Sequence, residues 1–237
     1  MNPLPMPAQE FAPGLLIQHI TPPLSLSAFK AIAFDMDSTL ISIECIDEIA
    51  DAVGKKAEVA AITEAAMRGE ITDFKDSLRR RVALLKGVPA EALQEVYDQR
   101  LKINPGAPEL INAAKAAGLH TLLVSGGFTF FADRVRDRLG MHEAHSNTLE
   151  IEGGLLTGQV LGDIVDGEAK KQHLLRLCAR LGCDPKQSIA VGDGANDLLM
   201  MGVSGLSVAY HAKPKVREQA MVAINEGGLD RVLELMA

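Results

Sequence analysis

The sequence predicts an α/β fold, a doubly wound parallel sheet carrying an inserted helical cap. Three observations lead there. Short apolar runs at 31–36, 119–124, 188–191 and 206–209 end in polar or glycine-rich turns, as buried strands do. Amphipathic stretches at 108–117, 128–139, 170–181 and 229–236 alternate with those runs. Strands alternating with helices make a parallel, Rossmann-like sheet with helices on both faces. The third observation is an interruption: 43–100 holds no strand-like run and reads as about four helices.

Taken in chain order, 1–28 carries Pro3, Pro5, Pro13, Pro22 and Pro23 and few charges, which predicts a loosely attached lead-in with one short strand within 14–20. The run AIAFDM at 31–36 is the first core strand. The helices of 43–100 break at Gly54, Gly69 and Gly87 with Pro89. An insertion directly after the first strand sits over the carboxyl ends of the sheet, where open α/β folds bind ligands. The helices at 128–139 and 170–181 each stop before a glycine, Gly140 and Gly182, suited to a left-handed cap. Residues 145–160 alternate around Gly153-Gly154 and read as a β-hairpin. The division is therefore a lead-in of 1–28 without assigned role, a core of 29–42 plus 105–237, and a cap of 43–104.

Composition narrows the function classes. Of 237 residues 47% are hydrophobic and 23% charged, so the chain can bury a core and is not disordered. The net charge of −7 argues against a nucleic-acid partner, which needs a basic face. No apolar run approaches the ~18–20 residues that span a bilayer. The first lysine is Lys30, so the N-terminus lacks the pattern of a secretory signal or transit peptide. Cys45, Cys178 and Cys183 form no framework, as in a reducing compartment. A cytoplasmic monomer or homodimer acting on a small molecule is expected.

Four segments carry chemistry. Asp35-Met36-Asp37-Ser38-Thr39-Leu40 ends the first strand with two carboxylates that repel unless a cation or proton lies between them. An acidic turn capping a helix is the plainer alternative. Gly192-Asp193-Gly194-Ala195-Asn196-Asp197 ends another strand with further hard oxygen donors, suited to Mg²⁺. Ser125-Gly126-Gly127 offers a hydroxyl and backbone amides before a helix, an anion site. Lys170 or Lys171 opens a helix where the dipole disfavours a cation; a phosphate neighbour would explain the placement, and a solvated surface lysine is the plainer alternative.

Together Asp35-x-Asp37-x-Thr39, Ser125, Lys170 and Gly192-Asp193-Gly194-x-Asn196-Asp197 resemble the haloacid dehalogenase-like phosphatases in order and in position on the elements. More narrowly, residues from about 30 to 235 resemble the phosphoserine phosphatase family, through 35–50, 64–87, 122–128 and 191–201. The resemblance implies Mg²⁺-dependent hydrolysis of O-phospho-L-serine through an aspartyl-phosphate, the last step of serine biosynthesis. It makes Asp35 the nucleophile and Asp37 the general acid/base. It assigns the metal to the carboxylates of Asp35 and Asp193 and the carbonyl of Asp37, supported by Asp197. Ser125, Gly126, Asn196 and Lys170 hold the phosphoryl oxygens; Glu44 meets the substrate ammonium and Arg81 its carboxylate. Met67 and Phe74 either wall the pocket or pack in the core.

Two departures stand out. Met36 occupies a position that is aromatic in many members, and with only about 28 unassigned residues ahead of the core, feedback control by an amino-acid-sensing domain is not expected. Three other functions fit the same residues: phosphoryl transfer to an alcohol such as homoserine, broad small-metabolite phosphatase activity, and non-catalytic sensing of a phospho-ligand.

Overall fold

The computed structural model describes residues 8–67 and 73–237. Among the described residues nine strands form one sheet: β1 (Gln9–Ala12), β2 (Leu15–Ile17), β3 (Ala31–Phe34), β4 (His120–Phe128), β5 (Glu143–Glu152), β6 (Leu155–Leu161), β7 (Ser188–Gly192), β8 (Leu206–Tyr210) and β9 (Val222–Ile224). Their order is β1-β2-β9-β8-β7-β3-β4-β5-β6, parallel from β9 to β5. The α/β class is borne out, and the parallel core acquires antiparallel edges at β1-β2-β9 and β5-β6.

The alternation of strand side chains builds two unequal layers. Ile32, Phe34, Leu123, Ile189, Val191 and Val208 enter the larger core, while Ala31, Ala33, Leu122, Ala190 and Ala209 enter the smaller. Four alanines on that second face bring the backbone of α7 (Gly167–Leu181) close to the sheet through Leu174, Leu177 and Cys178. With α8 (Leu198–Val203) and α9 (Pro214–Gln219) it covers this face. Against the larger core lie α5 (Ala107–Ala116) and α6 (Thr129–Leu139), with a 3₁₀ segment at Leu229–Leu235 where the sequence predicts an α-helix.

The insertion after β3 contains α1 (Cys45–Ala52), α2 (Lys56–Met67), α3 (Phe74–Ala83) and α4 (Glu91–Gln99). Gly69, where a helix break is expected, lies outside the described residues.

The lead-in corrects the expectation of a loose segment. Residues 9–17 form a hairpin that extends the sheet through β9, and Leu15 (0% exposed) and Ile17 (6%) join the core. The short strand expected within 14–20 is β2, and the unexpected β1 pairs with it to finish one sheet edge. The C-terminus ties down the same region, since Leu24 and Met236 bridge in parallel.

The chain winds outward from β3 in both directions, to β4 and β5 on one side and to β7, β8 and β9 on the other. The carboxyl ends of β3 and β7 thus flank the topological switch point, where the crevice of an open α/β sheet lies.

Candidate active site

Three strand ends and three cap helices enclose a cavity of about 270 Å³. Its sheet side is formed by Asp35, Asp37, Ser125, Gly126, Asp193 and Asn196, and its cap side by Glu44, Asp47, Phe74 and Arg81.

Asp35 follows β3 directly, and its Oδ1 accepts from the Met36 amide at 2.7 Å. The chain then turns sharply, with Ser38 in the left-handed region at φ 54°. Such backbone costs about 1–3 kcal/mol and persists where the surroundings enforce it. Asn104, at the end of the insertion, does part of that by donating to the carbonyls of Thr39 (2.8 Å) and Ile41 (3.1 Å). The Ser38 hydroxyl donates to Glu44 Oε1 at 2.6 Å. Glu44 is the N-cap residue of α1; burial first, then the charges of Asp35 and Asp47, raise its pKa against the Ser38 hydrogen bond, which lowers it.

Asp37 Oδ1 is buried without a hydrogen-bond partner. Burial first, then the charges of Glu44 and Asp35, push its pKa well above the ordinary carboxylate value.

Beneath the cavity, Lys170 is completely buried. Its Nζ lies 2.8 Å from Asp35 Oδ1 and 2.8 Å from Asp197 Oδ1. Burial alone lowers a lysine pKa, but the two carboxylates outweigh it and the net shift is upward, so the ammonium stays charged. α7 begins at Gly167, putting Lys170 in its first turn; Asp166 caps the helix by accepting from the Ala169 amide at 2.9 Å. Asp166 also meets cap residue Lys75 at 3.2 Å, linking cap and core.

Carboxylate oxygens of Asp35, Asp193 and Asp197 all lie within 4.8 Å of one another. Burial, then Asp35 and Asp197, push Asp193 up to about 7; burial, then Asp35, push Asp197 up to about 6 against the opposing Lys170. Asp197 is held by the Gly194 amide at 3.1 Å, and a side chain at Gly192 would run into its carboxylate. Asp193 has a weak contact from Thr39 Oγ1 at 3.4 Å. Crowded hard-oxygen donors of this kind fit a small divalent cation, whose charge relieves their repulsion.

Ser125 and the two following glycines interrupt β4. Ser125 Oγ accepts from the Gly127 amide at 2.9 Å. A Cβ at Gly126 would stand 2.9 Å from Phe74 Cζ, and one at Gly127 2.8 Å from Met36 Cε and 2.9 Å from Asp37 Oδ2. Glycine here is what lets cap and acidic turn close on the strand end.

Residues 29–205 match the family described as "Hydrolase: haloacid dehalogenase-like hydrolase". The phosphoserine phosphatase of Polaromonas sp. strain JS666 is 66% identical over 235 residues, covering 98% of this chain and 100% of the relative. The chain belongs to the phosphoserine phosphatase family of haloacid dehalogenase-like hydrolases. A substrate-bound phosphoserine phosphatase matches this family member at TM-score 0.82 and 38% identity, over 88% of this chain and 99% of that one. A phosphoserine phosphatase solved as a phospho-aspartyl intermediate analogue matches with TM-score 0.82, 38% identity and the same coverage, 88% and 99%.

Within this family member, eight of the residues singled out by sequence line the one cavity: Asp35, Asp37, Glu44, Arg81, Ser125, Gly126, Asp193 and Asn196. Lys170 and Asp197 instead lie under its floor, with Lys170 turned to carboxylates. Of three consecutive arginines, Arg79 and Arg80 are exposed and Arg80 pairs with Asp76 at 2.9 Å; Arg81 is half-buried against the cavity. Phe74 lines the cavity, and the Met67 side chain lies outside the described residues.

Sequence reasoning missed Asp47, Lys213 and Asn147. Asp47 lines the cavity, where burial raises its pKa and Arg81 opposes that. Lys213 stands at the rim and its amide donates to the Asp193 carbonyl at 3.3 Å. Neither sits in a glycine-rich strand end, so local pattern gave no signal. No helix among the described residues is long and apolar enough to cross a membrane.

Proposed function

We propose that the protein hydrolyses O-phospho-L-serine to L-serine and phosphate through an aspartyl-phosphate on Asp35, with Mg²⁺ as cofactor, as the last step of serine biosynthesis in the cytoplasm. The observation that supports this best is the composition of the cavity between the strand ends and the cap. Acidic and phosphate-holding groups line its floor, while Glu44 and Arg81 line the cap side. A phosphomonoester that also bears an ammonium and a carboxylate complements both halves, and Arg suits planar recognition of the carboxylate.

A carboxylate oxygen of Asp35 attacks phosphorus as the bond from phosphorus to the serine oxygen breaks. Asp37, whose raised pKa favours the protonated form, donates its proton to that leaving oxygen. Water then attacks the aspartyl-phosphate, Asp37 takes back a proton, and phosphate leaves as Asp35 is regenerated. Ser125, the Gly126 amide and Asn196 hold the transferring oxygens. Lys170 acts from behind, fixing Asp35 and Asp197. The metal would be held by the carboxylates of Asp35 and Asp193 and the Asp37 carbonyl, with Asp197 in support. When bound it screens the anionic nucleophile from the anionic substrate.

The test compares phosphate release from L-phosphoserine and from phosphoethanolamine, which lacks the carboxylate. Arg81→Ala is expected to lower kcat/KM for phosphoserine by about 10- to 100-fold, the value of a charge-assisted contact, and to leave phosphoethanolamine unchanged. Equal losses on both substrates, or wild-type indifference to the carboxylate, would point to a broad phosphatase. A new phosphoester formed from added homoserine in place of free phosphate would point to a transferase.

A second expectation concerns metal and pH. Folded-state pKa values near 7 for Asp193 and 6 for Asp197 exceed the unfolded value of about 3.9. In the metal-free protein the contribution of these two groups to stability is therefore fully present below that unfolded value and is lost as pH rises through about 6–7. Mg²⁺ needs those carboxylates ionised, so its thermal stabilisation is expected to be larger at about pH 8 than at about pH 5.5. A stabilisation independent of pH would contradict the ligand assignment.

A further inference from the structure

β4 and β5 pair in parallel with Val124 opposite His145, yet the next paired residues are Phe128 and Asn147. Four steps along β4 thus match two along β5, and the surplus residues form a bulge containing Ser125, Gly126 and Gly127. A bulge leaves backbone groups outside the ladder. Here the Gly126 carbonyl is served by a side chain: Asn147 Nδ2 donates to it at 2.8 Å. Asn147 Oδ1 accepts from the Val165 amide at 2.8 Å. Asn147 is 1% exposed, so both halves of its amide act away from water, and this orientation alone gives each a partner.

We infer that Asn147 is a positioning residue for phosphoryl binding, acting through the Gly126–Gly127 peptide on the Ser125 hydroxyl. The inference rests on the phosphoryl-holding role proposed for Ser125. Holding the Gly126 carbonyl sets the plane of the following peptide, whose Gly127 N–H donates to Ser125 Oγ at 2.9 Å. With that lone pair occupied by a backbone donor, the hydroxyl proton is left to point at a phosphoryl oxygen. The other contact of Asn147 reaches Val165, one residue before the Asp166 cap of α7. One buried amide therefore joins the Ser125 bulge to the approach of the helix that bears Lys170. Asp37 lines the cavity and Lys170 contacts Asp35; Asn147 does neither, and its effect must pass through Ser125.

The experiment is a double-mutant cycle on the full chain, with L-phosphoserine hydrolysis and affinity for inorganic phosphate as readouts. Asn147→Ala and the near-isosteric Asn147→Asp are each made in wild-type and Ser125→Ala backgrounds. Asn147→Asp keeps an acceptor for Val165 but turns an acceptor toward the Gly126 carbonyl. In the wild-type background both variants are expected to lower kcat about 10- to 100-fold and to weaken phosphate binding. In the Ser125→Ala background most of that loss should vanish, because the hydroxyl to be oriented is gone. The same fold loss in both backgrounds would overturn the inference, as would full activity in Asn147→Asp. If Asn147→Ala does not fold, Asn147→Asp carries the cycle; failure of both to fold assigns the amide a purely structural role and also overturns the inference. A wild-type protein inactive on phosphoserine would instead defeat the proposed function, so the two failures are distinct.

Discussion

Asp35→Asn is expected to lower kcat for phosphoserine by about three to six orders of magnitude, the scale of losing a covalent nucleophile. Fold stability should change little, because two effects offset each other. Lys170 loses one of two anionic partners but keeps Asp197 at 2.8 Å. At the same time Asp37, Asp193 and Asp197 are each relieved of a neighbouring charge that raises their pKa values. Phosphate release and a thermal melt on the same preparation check both halves. Loss of activity together with loss of fold would mean that Asp35 is chiefly a structural partner of Lys170.

Lys170→Met should show the reverse balance, with a large cost in stability as well as in rate. The ammonium is the sole cation shown within salt-bridge reach of Asp35 and Asp197 among the described residues, and all three groups are buried. Removing one member of a buried ionic cluster leaves uncompensated charge and costs about 3–5 kcal/mol. The loss should depend on pH. Lys170 holds down the pKa values of Asp193 and Asp197, which still stand above the unfolded ~3.9; without it both rise further, and the variant's stability falls as pH rises through those raised values. Urea midpoints measured in EDTA should therefore lie further below wild type at about pH 8 than at about pH 5.5. A pH-independent deficit would show that packing of the lysine stem, not its charge, is what the variant loses. Activity should fall by about 10²- to 10³-fold through misorientation of Asp35, the cost of one preorganised electrostatic contact.

What could be read from sequence follows from where the chemistry resides. Asp35, Ser125 and Asp193 each sit at the carboxyl end of an apolar run, so a strand-end pattern exposes them, and the switch point between β3 and β7 gathers them. Cap residues were less legible. Helical spacing cannot choose among Arg79, Arg80 and Arg81, and only the family resemblance singled out the one that reaches the cavity. Asn147 was not legible at all. Its partners Gly126 and Val165 lie 21 and 18 residues away, and the bulge that creates the need for it exists only once β4 and β5 pair. The lead-in misled for a related reason: the short strand expected within 14–20 forms as Leu15–Ile17, but its firm attachment depends on β9, some two hundred residues later in the chain. β9 itself, Val222–Ile224, is too short to stand out by periodicity.

The proposed hydrolysis requires Asp35 to carry the phosphoryl group. The measurement that reaches this most directly is acid quench of the enzyme during turnover of L-phosphoserine, followed by peptide mass spectrometry. A phosphoryl mass increment on the peptide containing Asp35, absent from Asp35→Asn and from enzyme quenched without substrate, is the expected result. Phosphate release at the wild-type rate by Asp35→Asn, with no modified peptide at any quench time, would contradict it.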